Sequence, residues 1–238
     1  MSRSRQSVRP ESRFPEPRNA DREGLVAVGG RLDTDWLIDA YRHGIFPWPL
    51  SDDEPLLWWS PDPRAVIPLG GLRLSRRLRR TLRGGKFAVT ANEDFAGVLR
   101  GCATGPGREE GTWLTPSMRG AYQRMHRAGY AHSIEVWACP QGQRELAGGL
   151  YGVAVGALFA AESMFRYQRD ASKVALAWLV AHLNRRGYRL LDIQQHTPHT
   201  GSLGAVELTR DAYLDQVAAV VDDPVTFGDR LEVDPSDF

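Results

Sequence analysis

The segment from residue 144 to residue 195 constrains the fold most, because the order of its elements can be read from local patterns. RELAGGLYGVAVGALFAAESMF predicts two strands, separated at a middle rich in glycine and alanine. DASKVALAWLVAHLNRRG follows with apolar residues at helical spacing, which predicts a helix. YRLLDIQ then predicts a further strand. Strands and a helix therefore belong to one packed unit.

The rest of the chain extends this pattern. From about residue 64 the predicted order is helix, strand, helix, helix, three strands, helix, strand and helix, which predicts an α+β fold with a mixed sheet and helices on both faces. We place a small N-terminal domain at residues 1–62 and a second domain at residues 63–238. Residues 1–20 are polar and aperiodic, which predicts disorder for most of them, with Phe14 as the first anchored residue.

Composition limits the classes of protein that need to be considered. The chain has 238 residues, of which 42% are hydrophobic and 25% charged, as in ordinary globular proteins. No apolar run approaches the roughly 20 residues needed to cross a bilayer, and no secretory leader opens the chain. We therefore expect a cytoplasmic protein. The two cysteines, Cys102 and Cys139, lack metal-site spacing, so we expect no structural zinc.

A helix predicted over LRLSRRLRRTLRGGK carries unbalanced positive charge. Its arginines lie opposite Leu78 and Leu82, and no carboxylate occurs between Asp62 and Glu93. A helix that is merely exposed to solvent usually mixes both signs, although that alternative remains open. The pattern favours contacts with the phosphates of a nucleic acid. The arginines concerned are Arg76, Arg79, Arg80 and Arg83.

A second polar cluster lies in LLDIQQHTPHTGSLGA, residues 190–205. Asp192 and Gln194 are two apart on a predicted strand, so their side chains leave the same face. His196 and His199 follow in a predicted loop. A zinc site would need further ligands, and only Glu162 and His132 are conceivable, without any motif. We therefore expect no metal here, and the open alternatives are a catalytic pair and a purely structural hydrogen bond.

Two further patterns bear on the ligand. Trp48 and Trp113 lie in loops flanked by proline or glycine, where they could stack on a base, a contact worth about 1–3 kcal/mol. A strand, a loop and a helix around RYQRDAS could bind an anion. Acetyltransferases that use acyl-CoA have a glycine-rich loop at this place, whereas RYQRDAS contains no glycine. The absence of glycine from this loop therefore predicts that the protein does not bind CoA.

Several longer motifs carry a family resemblance. GLVAVGGRLDTDWLIDAYRHGIFPW, LLWWSPDPRAVI, EEGTWLTPSM, AHSIEVW, GGLYGVAVG, ESMF, ASKVAL and DIQ…H…SLGA occur in this order between about residues 24 and 215. Together they resemble the leucyl/phenylalanyl-tRNA–protein transferase family. The resemblance implies a small N-terminal domain joined to an acetyltransferase-like (GNAT-type) α+β domain. It also implies transfer of Leu or Phe, and less well Met, from aminoacyl-tRNA to an N-terminal Arg or Lys, which marks the product for degradation.

The resemblance also implies roles for individual residues. The arginine helix would hold the phosphates of the acceptor stem, and Trp48 and Trp113 would contact the terminal adenosine. Asp192 would orient Gln194, Gln194 would hold the attacking amine, and Glu162 would face the basic acceptor or the ribose. No metal, ATP or CoA is implied. The pocket for the aminoacyl side chain would be lined by Leu150, Phe159, Ala160 and Met164.

The chain departs from the family's pattern around this pocket, at Ala161, Arg166, Tyr167, Asp170 and Ile193. These departures bear on which donor or acceptor is preferred. The alternatives to the transferase are a GNAT-type acyltransferase that uses acyl-CoA and an RNA-binding protein without catalytic activity. We expect the protein to be a monomer.

Overall fold

The computed structural model describes residues 12–108, 111–139 and 142–238. The first part contains a small antiparallel sheet in which β3 (Leu57–Trp59) lies between β1 (Leu25–Val28) and β2 (Phe46–Pro47). Helix α1 (Thr34–Arg42) follows β1 and begins where the Asp33 side chain accepts a hydrogen bond from the Trp36 N–H. This cap fixes the start of the helix.

Phe14 anchors the chain ahead of this sheet. Its ring packs edge-on against Trp36 and Trp58, and it is 7% exposed. Residues 12–20, which include the 3-10 helix Pro17–Asn19, therefore have defined positions. The expected anchor at Phe14 is confirmed, whereas the expected disorder is wrong for residues 12–20. The remaining part of that prediction, residues 1–11, lies outside the described residues.

The larger sheet has seven strands in the order β10-β4-β9-β8-β7-β6-β5. Neighbours are antiparallel except for β8 and β9, which are parallel. The mixed sheet confirms the predicted α+β class. Its strands are β4 (Arg64–Val66), β5 (Ala88–Ala91), β6 (Ala131–Ala138), β7 (Glu145–Val155), β8 (Leu158–Arg166), β9 (Leu190–Gln194) and β10 (Val206–Leu208).

Helices cover both faces of this sheet, as predicted. Helices α2 (Arg76–Arg83) and α5 (Ala171–Arg186) pack on one face. The other face carries α1, α3 (Phe95–Thr104), α4 (Pro116–Arg127) and α7 (Arg210–Val220). None of the helices in the described part of the chain combines the length and apolar character needed to cross a membrane.

Several short elements differ from the predicted order. Strands β4 and β10 were not predicted, since three residues are too few to show a period. The segment after Gln194 was expected to be a loop, but it contains α6 (Pro198–Ser202), which Thr197 caps and which includes His199. The small sheet and the large one share an apolar cluster that includes Tyr41, Trp58 and Tyr151. A domain boundary near residue 62 stays a prediction.

Candidate active site

A buried ion pair lies at the centre of the site. The Asp192 carboxylate accepts hydrogen bonds from Arg64 Nε to Oδ1 at 2.9 Å and from Arg64 Nη2 to Oδ2 at 2.6 Å. The Tyr213 hydroxyl donates to Oδ2 at 2.8 Å, and the Gln194 backbone N–H donates to Oδ1 at 2.9 Å. Each carboxylate oxygen thus accepts two hydrogen bonds, which uses its acceptor capacity. Asp192 is held in place and has no free acceptor for a substrate.

Arg64 is enclosed as completely as its partner. It is 1% exposed, and its guanidinium lies between the rings of Phe46 and Tyr213, at 4.6 and 4.5 Å from the ring centroids. Burial opposes the charge, but the carboxylate of Asp192 outweighs it and raises the pKa of Arg64 above its usual value. Arg64 therefore keeps its charge, and the buried ion pair with Asp192 compensates it.

Gln194 ends strand β9 in an unusual backbone conformation. Its φ is 57°, in the left-handed region that non-glycine residues rarely adopt. The pairing of β4 with β9 skips Ile193, which shows an irregularity next to Gln194. The side-chain Nε2 donates to Glu162 Oε1 at 2.9 Å. Backbone strain of this kind is concentrated at functional sites, and the strained residue here is the one whose amide contacts Glu162.

A bulge in strand β8 positions Glu162. Tyr151 of β7 pairs with Ser163 and Gly152 pairs with Ala161, so Glu162 is the extra residue between them. A bulge redirects the side chain of the extra residue. Glu162 Oε2 accepts a hydrogen bond from the Tyr122 hydroxyl at 2.9 Å, and Tyr122 in turn contacts the Tyr41 hydroxyl at 2.9 Å. A continuous chain runs from Tyr41 through Tyr122 and Glu162 to Gln194.

The environment of Glu162 favours its neutral form. Burial raises its pKa from 4.5 to about 7, while the hydrogen bonds from Tyr122 and Tyr41 act in the opposite direction. The negative charge of Asp192 contributes to the increase. A carboxyl group with a pKa near 7 exists in both protonation states at neutral pH, which suits a group that accepts and returns a proton.

Trp48 and Trp113 lie beside this chain. Their rings stack with centroids 5.2 Å apart and an interplanar angle of 26°. Trp113 also packs edge-on against Tyr122, with centroids 6.5 Å apart. Both tryptophans are half-buried, so part of their surface is open to a ligand. The structure thus brings these two predicted residues close to Glu162 and Gln194.

The residues expected to line an aminoacyl pocket are divided between two faces. Leu150 and Phe159 are buried in the cluster beneath α5, and Met164 packs against it. Ala160 belongs to the cluster on the opposite face. In the described chain, β8 pairs with β9 only from Leu158 to Ala160, although β8 continues to Arg166. Beyond Ala160 the two strands remain linked through the hydrogen bond from Gln194 Nε2 to Glu162 Oε1.

The arginine face of α2 is exposed. Leu78 and Leu82 are 2% and 4% exposed, and the opposite side of the helix faces solvent, as predicted. Arg77 pairs with Asp170 at 2.7 Å, and Arg79 donates a hydrogen bond to the Phe238 carbonyl oxygen at 3.5 Å. The exposed residues include all four predicted phosphate contacts, Arg76, Arg79, Arg80 and Arg83.

Metal ligands are not grouped in the described residues. No three side chains of His, Cys, Asp or Glu come together there as ligands would. His132, which was conceivable as a partner of Glu162, stacks instead on Phe227 with centroids 4.2 Å apart.

Four residues of the site were missed at the level of sequence. Arg64 lies in the motif LLWWSPDPRAVI, which indicated the family but gave Arg64 no role of its own. A lone arginine in the apolar run RAVIPL is nevertheless a signal for a buried, paired charge. Tyr41, Tyr122 and Tyr213 lie on separate helices, and nothing local distinguishes them from ordinary core tyrosines.

Comparisons with known proteins identify the family of the chain. Residues 66–218 match the model of the leucyl/phenylalanyl-tRNA protein transferase family, and residues 30–62 match that of its N-terminal domain. A leucyl/phenylalanyl-tRNA–protein transferase of Solidesulfovibrio magneticus is 50% identical over 87% of this chain and 82% of its own length. One of Chromohalobacter salexigens is 49% identical over 90% of this chain and 82% of its own length.

Solved structures show weaker likenesses. FemX is 12% identical, with a TM-score of 0.46 over 77% of this chain and 70% of its own. A tandem GNAT protein from the clavulanic acid biosynthesis pathway has a TM-score of 0.33 over 65% and 49%. The matched models and the identity across most of its length show that the chain belongs to the leucyl/phenylalanyl-tRNA–protein transferase family.

Proposed function

We propose that this protein transfers leucine or phenylalanine, and less well methionine, from aminoacyl-tRNA to proteins that begin with arginine or lysine. The product would be marked for degradation through its new N-terminal residue. The observation that carries the proposal is the hydrogen-bonded chain from Tyr41 to Gln194, which lies beside the stacked tryptophans. We also propose that the protein acts in the cytoplasm as a monomer.

The reaction needs little chemical assistance. The nitrogen of the acceptor amine forms a bond to the ester carbonyl carbon, and the bond from that carbon to the ribose oxygen of the terminal adenosine breaks. The ester is already activated, and an α-amino group with a pKa near 8 is partly neutral at pH 7. Positioning of the two reactants therefore supplies most of the rate.

Gln194 would position the attacking amine. Its Nε2 is engaged by Glu162, while its Oε1 has no donor within the described part of the chain. This Oε1 accepts a hydrogen bond from the amine and aims the nitrogen lone pair at the ester. Asp192 fixes the Gln194 backbone and does not contact the amine itself, since Arg64, Tyr213 and Gln194 occupy its carboxylate.

Glu162 would handle the proton. The amine releases one proton as the new bond forms, and the ribose oxygen takes one up as it leaves. A carboxyl group whose pKa is about 7 can accept the first and supply the second, a contribution typically worth about 10²–10⁴-fold in rate. The charged form of Glu162 also suits the guanidinium or ammonium group of a basic acceptor.

The direct test mixes the protein with leucyl-tRNA and a peptide that begins with arginine, and it measures the leucylated product. Gln194→Ala should reduce the single-turnover rate at saturating tRNA by at least tenfold, whereas Gln195→Ala, at the exposed neighbour, should not. Asp192→Ala should also lose activity, with circular dichroism used to check folding. No transfer by the wild-type protein would reject the proposal, and unchanged rates in both active-site variants would reject these roles.

A GNAT-type acyltransferase that uses acyl-CoA is the alternative. Stabilisation of the protein by acetyl-CoA in a thermal shift, together with acetylation of the same peptide, would favour it. We expect neither result, because the loop at residues 167–170 contains no glycine.

A further inference from the structure

A basic groove of about 520 Å³ lies where the loop after β8 meets the start of α5. Its four cationic side chains are those of Arg77, Arg166, Arg169 and Lys173. Its one carboxylate, Asp170, pairs with Arg77 at 2.7 Å. The excess positive charge therefore comes from the other three cations. The remaining lining residues are Pro106, Tyr167 and Gln168.

The basic groove adjoins the start of α2, next to the arginine face, and its cations also lie near α6, the helix that follows Gln194. Burial and the nearby charges of Lys173 and Arg166 lower the pKa of His199, which places both cations close to α6. Helix α6 begins four residues after Gln194. On the other side, Arg77 is the second residue of α2, directly after Arg76 of the arginine face. The basic groove therefore adjoins the start of α2 on one side and lies near α6 on the other.

The chemistry of the groove fits a single strand of nucleic acid. Tyr167 is 53% exposed, with its ring edge-on to Phe165. Positive side chains next to an exposed aromatic ring are the usual means of binding single strands, because the charges contact phosphates and the ring stacks on a base. In contrast, the loop offers little open backbone, since the N–H groups of Tyr167 and Gln168 both donate to the carbonyl of Ala147.

We propose that the basic groove binds the single-stranded 3′ end of tRNA, while the arginine face of α2 binds the double-stranded stem. Arg166, Arg169 and Lys173 contact the phosphates that precede the terminal adenosine, and Tyr167 stacks on one of the bases. This assignment rests on the proposed function, because it takes tRNA as the partner. On this assignment the strand runs from the arginine face of α2 into the basic groove.

RNA binding tests the assignment without relying on the reaction. Two RNA hairpins that carry no amino acid represent the acceptor stem, one with a single-stranded CCA end and one with a blunt end. Fluorescence anisotropy measures the dissociation constant of each hairpin. The variant Arg169→Gln/Lys173→Gln should bind the CCA hairpin about tenfold more weakly and leave the blunt hairpin within twofold. With two phosphate contacts removed, the slope of log K against log salt for the CCA hairpin should fall by about 1.4.

Two matched variants separate this effect from a general loss of charge. Arg79→Gln/Arg80→Gln, on α2, should weaken both hairpins about equally. Arg22→Gln/Arg127→Gln removes two exposed charges elsewhere on the surface and should weaken neither beyond twofold. Equal weakening of both hairpins by the groove variant, or no weakening of either, would overturn the assignment. Competition for the CCA hairpin by acetyl-CoA, lost in the groove variant, would overturn it in favour of a cofactor site.

Kinetics then link the groove to the reaction. With leucyl-tRNA as donor, the groove variant should raise KM about tenfold and leave kcat at saturation within twofold, because the groove positions the strand and touches no reacting atom. A fall in kcat at unchanged KM would overturn the assignment. If the wild-type protein binds the hairpins in the expected pattern but transfers no leucine, the proposed function fails while the groove remains an RNA site.

Discussion

Glu162→Gln should stabilise the protein in a way that depends on pH. Burial raises the pKa of Glu162 from 4.5 to about 7, so the folded state binds a proton that the unfolded state has already released. The wild-type protein therefore keeps the full stability of a neutral Glu162 below pH 4.5 and loses it as the pH rises through 7. Glutamine stays neutral at every pH and avoids this loss.

The size of the effect follows from the same two values. At 1.36 kcal/mol for each unit, the penalty of the wild-type protein is about 0.8 kcal/mol at pH 5 and up to about 3 kcal/mol at pH 8. The larger figure is an upper limit, because Glu162 is only half-buried and solvent screens part of its charge. Glu162→Gln should thus gain up to about 2.5 kcal/mol over the wild-type protein between these pH values.

Urea unfolding at pH 5 and at pH 8 measures the gap, which is the difference in free energy of unfolding between Glu162→Gln and the wild-type protein. Glu23→Gln, at an exposed glutamate, is the matched control, and its gap should stay within about 0.5 kcal/mol at both pH values. Glu162→Gln should also lose transfer activity, so that greater stability accompanies lower activity. A gap for Glu162→Gln that does not change with pH would refute the argument, because it would mean that Glu162 titrates alike in the folded and unfolded states.

Three further predictions address the surroundings of this residue. Asp192→Asn leaves the buried charge of Arg64 without compensation and should lower the free energy of unfolding by about 3–5 kcal/mol; in urea unfolding, the double variant Asp192→Asn/Arg64→Met should lose less. Gln194→Gly relieves a left-handed backbone and should be about 1 kcal/mol more stable than Gln194→Ala, while leucine transfer shows both to be inactive; equal stability would contradict the strain. Burial lowers the pKa of His132 from 6.5 to about 4. The contribution of neutral His132 to the free energy of unfolding is therefore complete above pH 6.5, and up to about 3 kcal/mol of this free energy is lost as the pH falls to 4. His132→Gln should lack this loss in acid unfolding, and a parallel loss in both proteins would assign it to other groups.

Much of the fold could be predicted because its long elements carry clear periods. Helix α5 extends over 16 residues and was predicted from its apolar spacing, while β7, with 11 residues, was predicted as the first of two strands separated at a middle rich in glycine and alanine. Strands β4 and β10 have three residues each, which leaves no period to detect. The pairing of β4 with β9 is decided by tertiary packing, and it is this pairing that brings Arg64 next to Asp192.

The site was predicted less completely, for a related reason. Asp192 and Gln194 could be recognised together because they lie two residues apart on a strand. The partner of Asp192, however, is 128 residues away in the chain, and Tyr122 is 40 residues away from Glu162. The bulge that redirects Glu162 depends on register with β7, which no local pattern encodes. Sequence therefore identified individual polar residues, while their connections depend on packing.

These connections place the carboxyl groups of Asp192 and Glu162 in different environments. Asp192 pairs with a guanidinium and accepts four hydrogen bonds, which makes it a fixed support for the Gln194 backbone. Glu162 is held by neutral partners, namely two tyrosine hydroxyls and an amide, and the nearby charge of Arg64 compensates its negative charge only in part. A carboxyl group so placed changes its protonation state easily near neutral pH. A cationic N-terminal residue of the acceptor would supply the missing charge, which would bind that residue and favour the ionised form of Glu162 in the same step.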